Sequence, residues 1–246
     1  DPEISLNNKN FLKLLNKTKI AISNDDTRHY LNGIFLHLTE AHGRNFLTGV
    51  ATDSHRLSSS SVEVEKASNF TSLILPRKTV FQLCSLLAES NEKLSMQTSE
   101  NKIKFNLGNI KLISKVIDGK FPDYKKVVPT DNSKCLIVPS KDFINSIERV
   151  ASVSLDRKEG VKLTIKKENI QLSVNSVSSG EGNEIIKANF NSDNLNISFN
   201  SKYLIDIVSE VEDSNLKMNL KDSVSPVLIE DASDRNSYYV IMPMKI

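Results

Sequence analysis

The residues most suggestive of chemistry lie together in the segment ATDSHRL, residues 51–57. Asp53, Ser54 and His55 are an acid, a hydroxyl nucleophile and a base, the residue types of a hydrolytic triad. Adjacent residues of an extended chain alternate faces, so these three cannot align a hydroxyl, an imidazole and a carboxylate. No G-x-S-x-G turn surrounds Ser54. A hydrolase that uses the Asp53–Arg56 segment is therefore only an alternative, and a non-catalytic role is favoured.

Metal and cofactor signals are also missing from the sequence. The histidines His29, His37, His42 and His55 show no H-E-x-x-H spacing, and the two cysteines form no cluster with them. The sequence contains neither a P-loop nor a G-x-G-x-x-G motif. We expect no metal and no cofactor.

Basic residues recur along predicted helices. Lys9, Lys13 and Lys17 follow one another at i, i+4 and i+8 in a helix predicted over 7–19, and Lys141 and Arg149 take the matching positions in a helix over 140–152. Three more cations lie near the starts of helices predicted over 77–88 and 201–212; they are Arg77, Lys78 and Lys202. The helix dipole disfavours cations there, and a phosphate partner would offset that cost. An ordinary solvated helix face is the alternative.

The two halves of the chain resemble each other. Residues 76–98 recur in pattern at 200–221, with Lys78 matching Lys202. Such self-similarity predicts two modules of roughly 120 residues each. The boundary is predicted in the polar stretch 128–135, which gives domains 1–131 and 132–246, and the loop 176–184 is predicted to be a mobile tip.

Period-two alternation dominates both modules and predicts an α+β fold, with two helices packed on antiparallel sheets in each domain. Strands are predicted over 29–38, 45–52, 59–65, 71–76, 93–98, 102–107 and 110–117, and over 161–167, 170–176, 184–190, 195–200, 216–220, 224–231 and 237–244. The last of these ends in MPMKI, and two Met beside a Pro indicate either a core edge strand or an adaptable apolar groove.

Composition fits a globular protein, with 39% hydrophobic and 25% charged residues and a net charge of only +2. Any contact with nucleic acid is expected to be weak, local and salt-sensitive. No membrane span or signal peptide is recognisable, and a cytoplasmic location is expected. The chain begins with DPEISLNN and no Met, so we expect an excised fragment.

Several motifs resemble one family, the bacterial DNA polymerase III beta subunit, or replicative sliding clamp. They are RHYLNG (28–33), ATDSHRL, LPRK (75–78), KVIDGKFPDYKKVVP (115–129), FNSKYLIDIV (199–208) and the terminal YYVIMPMKI. The resemblance covers essentially the whole chain. The family has three similar domains, and this chain resembles the middle one over 1–131 and the C-terminal one over 132–246, with the N-terminal domain absent.

The resemblance implies a non-catalytic subunit of the DNA polymerase III holoenzyme, a processivity factor that encircles duplex DNA as a head-to-tail homodimeric ring. It implies DNA contacts for Lys9, Lys13, Lys17, Arg28, His29, Tyr30, Arg77, Lys78, Lys141, Arg149 and Lys202. Without the N-terminal domain we expect a monomer. A generic β-rich interaction protein with no role on DNA is the other alternative.

The resemblance also implies docking of short peptide motifs from the polymerase catalytic subunit, the clamp loader and other proteins, in a pocket between the second and third domains. An apolar floor would take a Leu or Phe anchor, and Arg56 would be a rim group. The implied pocket residues are Leu31, Thr52, Ser54, His55, Arg56, Leu57, Pro122, Lys126, Val127, Asn200, Tyr203, Val224, Pro226, Val240, Ile241, Met242, Pro243, Met244, Lys245 and Ile246.

Overall fold

The computed structural model describes residues 3–65, 70–155 and 159–245. The chain divides into two compact units, Asp1–Asp123 and Tyr124–Ile246. This division falls before the 131/132 boundary suggested by the polar stretch, because the second unit already begins with a 3₁₀ helix at Tyr124–Val127, in which Tyr124 is buried.

The described residues of the first unit form eight strands and two α-helices. Strands β1 to β8 are Glu3–Leu6, Gly33–Ala41, Arg44–Thr52, Arg56–Val64, Leu73–Pro76, Leu94–Thr98, Lys102–Leu107 and Ile110–Lys115, and helices α1 and α2 are Asn8–Lys19 and Arg77–Ala88. One antiparallel sheet has the order β1-β6-β7-β8, and another has the order β4-β3-β2-β5.

The second unit repeats this order of elements with one extra short strand. Strands β9 to β17 are Lys134–Pro139, Gly160–Ile165, Asn169–Ser176, Gly180–Lys187, Asn189–Phe190, Leu195–Asn200, Asn215–Leu220, Val227–Asp231 and Asp234–Ile241, and helices α3 and α4 are Ser140–Ala151 and Ser201–Val208. Its antiparallel sheets have the orders β13-β9-β15-β16-β17 and β12-β11-β10-β14. The predicted α+β fold of two repeated domains is therefore confirmed.

Local chemistry explains where the helices start and which face they bury. Asn7 caps α1 by accepting the N–H of Asn10 at 3.0 Å, and Asn200 caps α4 by accepting the N–H of Tyr203 at 3.1 Å. Phe11 is fully buried on the inner side of α1. None of the helices in the described ranges combines the length and apolar character needed to span a membrane.

Several sequence-based boundaries need correction. The segment predicted as a strand over 29–38 begins instead with a 3₁₀ turn at His29–Leu31, and the helix predicted over 201–212 ends at Val208. The predicted mobile loop at 176–184 is wrong over 180–184, where the chain pairs with β11 as a hairpin strand. Strands β1 and β9 are not among the predicted strands.

Candidate functional site

The segment between β3 and β4 is a turn organised by the Asp53 carboxylate. One oxygen of this group accepts the backbone N–H groups of His55 at 2.9 Å and Arg56 at 3.0 Å. The other oxygen accepts the Arg56 Nε–H at 3.3 Å, and the two side chains are only 12% and 9% exposed. The Asp53 carboxylate therefore builds the turn, and Arg56 lies beneath it. The role of Arg56 as a rim group of the docking pocket stays a prediction.

Ser54 occupies the exposed tip of this turn with a φ of 75°, the left-handed region. Its hydroxyl accepts a hydrogen bond from Arg28 Nη1 at 2.5 Å, while Arg28 Nε donates to Asp25 Oδ2 at 2.8 Å. Ser54 thus serves as an acceptor that holds the turn against the 28–30 segment, which leaves no triad arrangement in this segment.

Asp25 is the acceptor that organises the chain before the 3₁₀ turn. Its carboxylate accepts the hydroxyl of Thr27 at 2.6 Å and the backbone N–H of Thr27 at 2.9 Å. These bonds, followed by the Arg28 guanidinium, lower the pKa of Asp25 to about 2. Arg28 is therefore held by Asp25 and Ser54.

The other two residues of the predicted DNA-contacting segment face a second loop. His29 is exposed, and its Nε2 lies 3.1 Å from the Asp118 carbonyl oxygen. Tyr30 is half-buried, with its ring edge-on to His29. A Cβ on Gly119, whose φ is 141°, would lie 3.1 Å from the Tyr30 Cβ. Only a residue without a side chain fits this approach easily.

The other first-unit members of the predicted docking set differ in their exposure to solvent. Leu31 and Leu57 are buried, Thr52 is half-buried, and His55 and Pro122 are exposed. Thr52 donates its hydroxyl to the Arg56 carbonyl at 2.8 Å and so fixes the base of the turn.

In the second unit, the predicted set includes four exposed apolar side chains. Val127, Val224, Met242 and Met244 are 53%, 60%, 40% and 37% exposed. The adjoining Val240 and Ile241 are buried in β17; Lys126 and Lys245 are exposed, and Pro243, Pro226, Asn200 and Tyr203 are half-buried. Ile246 lies outside the described residues.

A groove of about 430 Å³ lies entirely within the second unit, and two of these side chains, Val224 and Met244, line it. It is lined by Lys162, Asn196, Ile197, Ser198, Ser223, Val224, Met244 and Lys245. The backbone N–H of Met244 donates to the Ser198 carbonyl at 2.7 Å, and this bond attaches the segment after β17 to the edge strand β14. A Cβ on Gly160 would lie 2.9 Å from the Met244 sulfur, so the glycine leaves room for the thioether.

The structure thus brings Val224, Met244 and Lys245 together around one groove. The other predicted docking residues are divided between the two units, and their joint use stays a prediction. Sequence reasoning missed Lys162, Asn196 and Ser198. Alternation along β10 and β14 could have placed them on one outward face, but not beside the chain end, since that depends on the Met244 contact.

The predicted DNA-binding lysines differ in their exposure to solvent. Lys9, Lys78, Lys141 and Lys202 are exposed, and Lys13 is half-buried. Lys17 is only 2% exposed, so its predicted outward direction is wrong. It lies three residues after Leu14, and that spacing returns it to the buried side of α1.

Two of the arginines have partners within their own unit. Arg149 makes a two-pronged contact with Glu184, at 3.0 Å from Nε and 2.6 Å from Nη2, and this bond holds the pKa of Glu184 below its usual range. Arg77 lies over the exposed Phe81 ring at 4.9 Å, and Lys19 Nζ lies 5.4 Å from the same ring. Sequence reasoning also missed Lys19 and Phe81, which meet only because α1 packs against α2.

Comparison with known proteins identifies the same two-part organisation. Residues 5–123 match the family model described as the DNA polymerase III beta subunit, central domain, and residues 125–245 match its C-terminal domain. The beta sliding clamp of Caulobacter vibrioides is 34% identical over 244 residues, and that of Escherichia coli K12 is 32% identical. Each alignment covers 99% of this chain and 66% of the relative, so the chain spans about two thirds of their length.

Solved structures give the same result. A DnaN sliding clamp from Bartonella birtlesii bound to griselimycin superposes with a TM-score of 0.96 at 38% identity, covering 100% of this chain and 66% of that one. The Caulobacter crescentus pol III beta structure superposes with a TM-score of 0.95 at 34% identity, covering 100% of this chain and 67% of that one. The chain therefore belongs to the DNA polymerase III beta subunit family, the bacterial beta sliding clamps.

Proposed function

We propose that this chain provides the DNA-surrounding and partner-docking parts of a replication processivity clamp, which encircles duplex DNA in the cytoplasm and tethers DNA polymerase III and other replication and repair proteins. The observation that carries this proposal is the match of both units, in order, to the central and C-terminal domains of the beta subunit. In this role the protein is a non-catalytic subunit, and the Asp53 turn is a structural element.

DNA contact would rest on exposed lysines on helices. Lys9, Lys78, Lys141 and Lys202 belong to α1, α2, α3 and α4, so each helix contributes at least one exposed cation. Diffuse attraction to phosphates, without contacts to base edges, would hold a duplex but favour no sequence. That combination suits a protein that slides.

Partner docking would use the exposed apolar residues of the second unit, among them Val224, Met242 and Met244. Burying one Leu or Phe anchor contributes on the order of 2 kcal/mol, and the flexible thioethers of Met242 and Met244 can adapt to different side chains. A contact of this kind gives roughly micromolar affinity, which allows partners to exchange. Met-rich surfaces are typical where one site serves several partners.

The docking proposal is tested by titrating a fluorescent peptide with a Leu-Phe anchor onto the chain. We expect Met242→Glu to weaken binding at least tenfold, because a carboxylate would be buried against the anchor. Val177→Glu is the matched control, since Val177 is a fully exposed apolar residue of the same unit outside the predicted set. Equal affinities for both variants would refute the docking assignment.

The topological part is tested on the complete protein that contains this chain. A closed ring is expected to remain on circular DNA at a salt concentration at which it slides off linear DNA of the same sequence. Equal retention on both forms would contradict encirclement.

A further inference from the structure

The first unit has a groove of its own, which the proposed function does not use. Its volume is about 820 Å³, and four parts of the chain line it: Phe35 on β2, residues 71–74 at the start of β5, the turn 99–101 between β6 and β7, and residues 116–121 after β8. None of these residues belongs to the predicted docking set or to the predicted DNA contacts. We call this cavity the first-unit groove and the cavity beside Met244 the second-unit groove.

The two grooves are built by equivalent strands of the repeat. In the first unit Phe35 of β2 lies opposite Ile74 of β5, and in the second unit Lys162 of β10 lies opposite Ser198 of β14. Phe35 and Lys162 each come third in a strand that begins with glycine. Ile74 and Ser198 each lie three residues before the first residue of the next helix. The fold therefore places these four side chains at matching points of the two units.

The same backbone bond closes both grooves. After β8 the N–H of Ile117 donates to the Ile74 carbonyl at 3.0 Å, and after β17 the N–H of Met244 donates to the Ser198 carbonyl at 2.7 Å. Each bond forms an isolated antiparallel bridge outside the regular strands. The first-unit groove is therefore the counterpart, in the repeat, of a cavity that the proposed docking function uses.

The floor of the first-unit groove is apolar where that of the second-unit groove is polar. Phe35 and Ile74 take the places of Lys162 and Ser198. Phe35 is half-buried and stacks on the buried Phe121, with ring centroids 4.9 Å apart and ring planes at 9°. A half-buried aromatic ring offers apolar surface that a ligand side chain can cover. This floor suits an aromatic or aliphatic side chain.

The wall of the first-unit groove is fixed at both ends. The backbone bridge of Ile117 holds its start. One residue later the Asp118 carbonyl oxygen lies 3.1 Å from His29 Nε2, and a Cβ on Gly119 would lie 3.1 Å from the Tyr30 Cβ. Because this main chain is already held, little of the wall has to be ordered when a ligand binds.

The charge of the groove is reversed at a matched position. The residue that follows the bridging residue is Asp118 in the first unit and Lys245 in the second. Glu100, in the turn between β6 and β7, adds a second carboxylate, and Lys120 is the one cation among the described lining residues. These three lining residues are exposed and have no ion-pair partner within the described ranges. The rim is therefore net negative, and the complementary ligand is basic.

We propose that the first-unit groove is a second docking site, which takes an extended peptide segment of a partner protein with one apolar side chain beside a Lys or Arg. The apolar side chain packs on Phe35 and Ile117, and Asp118 and Glu100 attract the basic one. The site lies wholly within the first unit and does not depend on docking in the second. The two grooves thereby select partners of different charge.

The test uses three short peptides of equal length, built around Gln-Phe-Gln, Lys-Phe-Lys and Glu-Phe-Glu. Amide chemical shifts of the nitrogen-15-labelled chain, recorded in low salt, give both the affinity and the place of binding. We expect the Lys peptide to bind about three- to tenfold more tightly than the Gln peptide, the range for a partly exposed charge-assisted contact, and the Glu peptide to bind most weakly. The shifts should centre on residues 99–101 and 116–120.

The double variant Glu100→Gln with Asp118→Asn is expected to bring the Lys-to-Gln affinity ratio close to one. The matched control is Glu40→Gln with Asp26→Asn, because both are exposed acids of the same unit that do not line the groove, and it should keep the ratio. A ratio near one in the unchanged protein, or a preference that survives the double variant, overturns the site.

Two comparisons separate this site from docking in the second unit and from the rest of the protein. Met242→Glu should leave the Lys peptide unaffected; if it weakens that peptide as strongly as the Leu-Phe peptide, the first-unit site is refuted. If it affects neither peptide, the docking proposal falls and the first-unit site stands. Binding of the Lys peptide to this chain but not to the complete protein would mean that the groove is covered there, and would also refute the site.

Discussion

Asp53 shows how one side chain can fix a turn. Its carboxylate holds two backbone N–H groups and the nearly buried guanidinium of Arg56. Removing it deletes a carboxylate that contacts the nearly buried Arg56 guanidinium, and breaking an ion pair of low exposure is strongly destabilising. We predict that Asp53→Ala lowers the free energy of unfolding by about 2–4 kcal/mol, measured by urea titration.

The comparison for that substitution is an exposed ion pair of the same unit. Arg44 and Glu63 lie 3.5 Å apart with side chains 65% and 57% exposed. We expect Glu63→Ala to change stability by less than about 0.5 kcal/mol, because water screens such pairs. Similar losses for the two variants would mean that the Asp53 bonds do not stabilise the turn.

Asp25 makes a prediction about pH. Its pKa of about 2 lies below the ordinary 3.8, and the hydroxyl of Thr27 is the largest cause. A lowered carboxyl pKa stabilises the fold above the unfolded value, and this contribution is lost as the pH falls from about 4 through about 2. Thr27→Val should raise the Asp25 pKa toward 3.8 in a carbon-13 NMR titration. Thr71→Val is the control, because it changes another exposed threonine. If Thr27→Val leaves the Asp25 pKa unchanged, the Thr27 hydroxyl is not the cause of the low value.

At the level of elements, the packing of α1 on β3 depends on a glycine. A Cβ on Gly49 would lie 2.6 Å from a Leu14 methyl and 3.2 Å from one of Ile34, closer than side chains tolerate. We predict that Gly49→Ala destabilises the protein by about 1–3 kcal/mol, the usual cost of overpacking. In a Leu14→Ala background the same change should cost much less, because the clashing methyl is absent. Additive effects in thermal unfolding would contradict this contact.

The elements also show what can be predicted from the sequence. Phe11 and Leu14 at helical spacing predict α1, and the two-residue alternation predicts most strands, because both follow from periods fixed by backbone geometry. The same logic fails for Lys17. Its position along the helix places it on the buried side with Leu14, although its side chain is charged. The logic fails for 180–184 as well, where Gly and Glu suggest a loop but pairing with β11 makes a strand.

For the whole molecule, the candidate site was predictable only in part, and for a physical reason. Motif resemblance selected Val224 and Met244, which are exposed, but nothing local in the sequence places Met244 beside Gly160 and Ser198. Those contacts join residues far apart in the chain. Because they place Met244 against this part of the unit, Lys162 and Met244 line the same groove. Charge on its own was similarly ambiguous, because a net charge of +2 does not say which cations are free.

The structure divides those cations into two classes, and salt dependence can separate them. Lys78 and Lys202 are exposed near the starts of α2 and α4, whereas the Arg149 charge is already offset by Glu184. A cation that neutralises one phosphate contributes about 0.9 to the slope of log affinity against log salt. In the complete protein, Lys78→Gln and Lys202→Gln should each flatten that slope by up to this amount on duplex DNA. Arg149→Gln should flatten it by clearly less, because its guanidinium would have to leave a carboxylate before it could meet a phosphate. Equal changes for all three variants would mean that the Arg149–Glu184 pair opens on DNA.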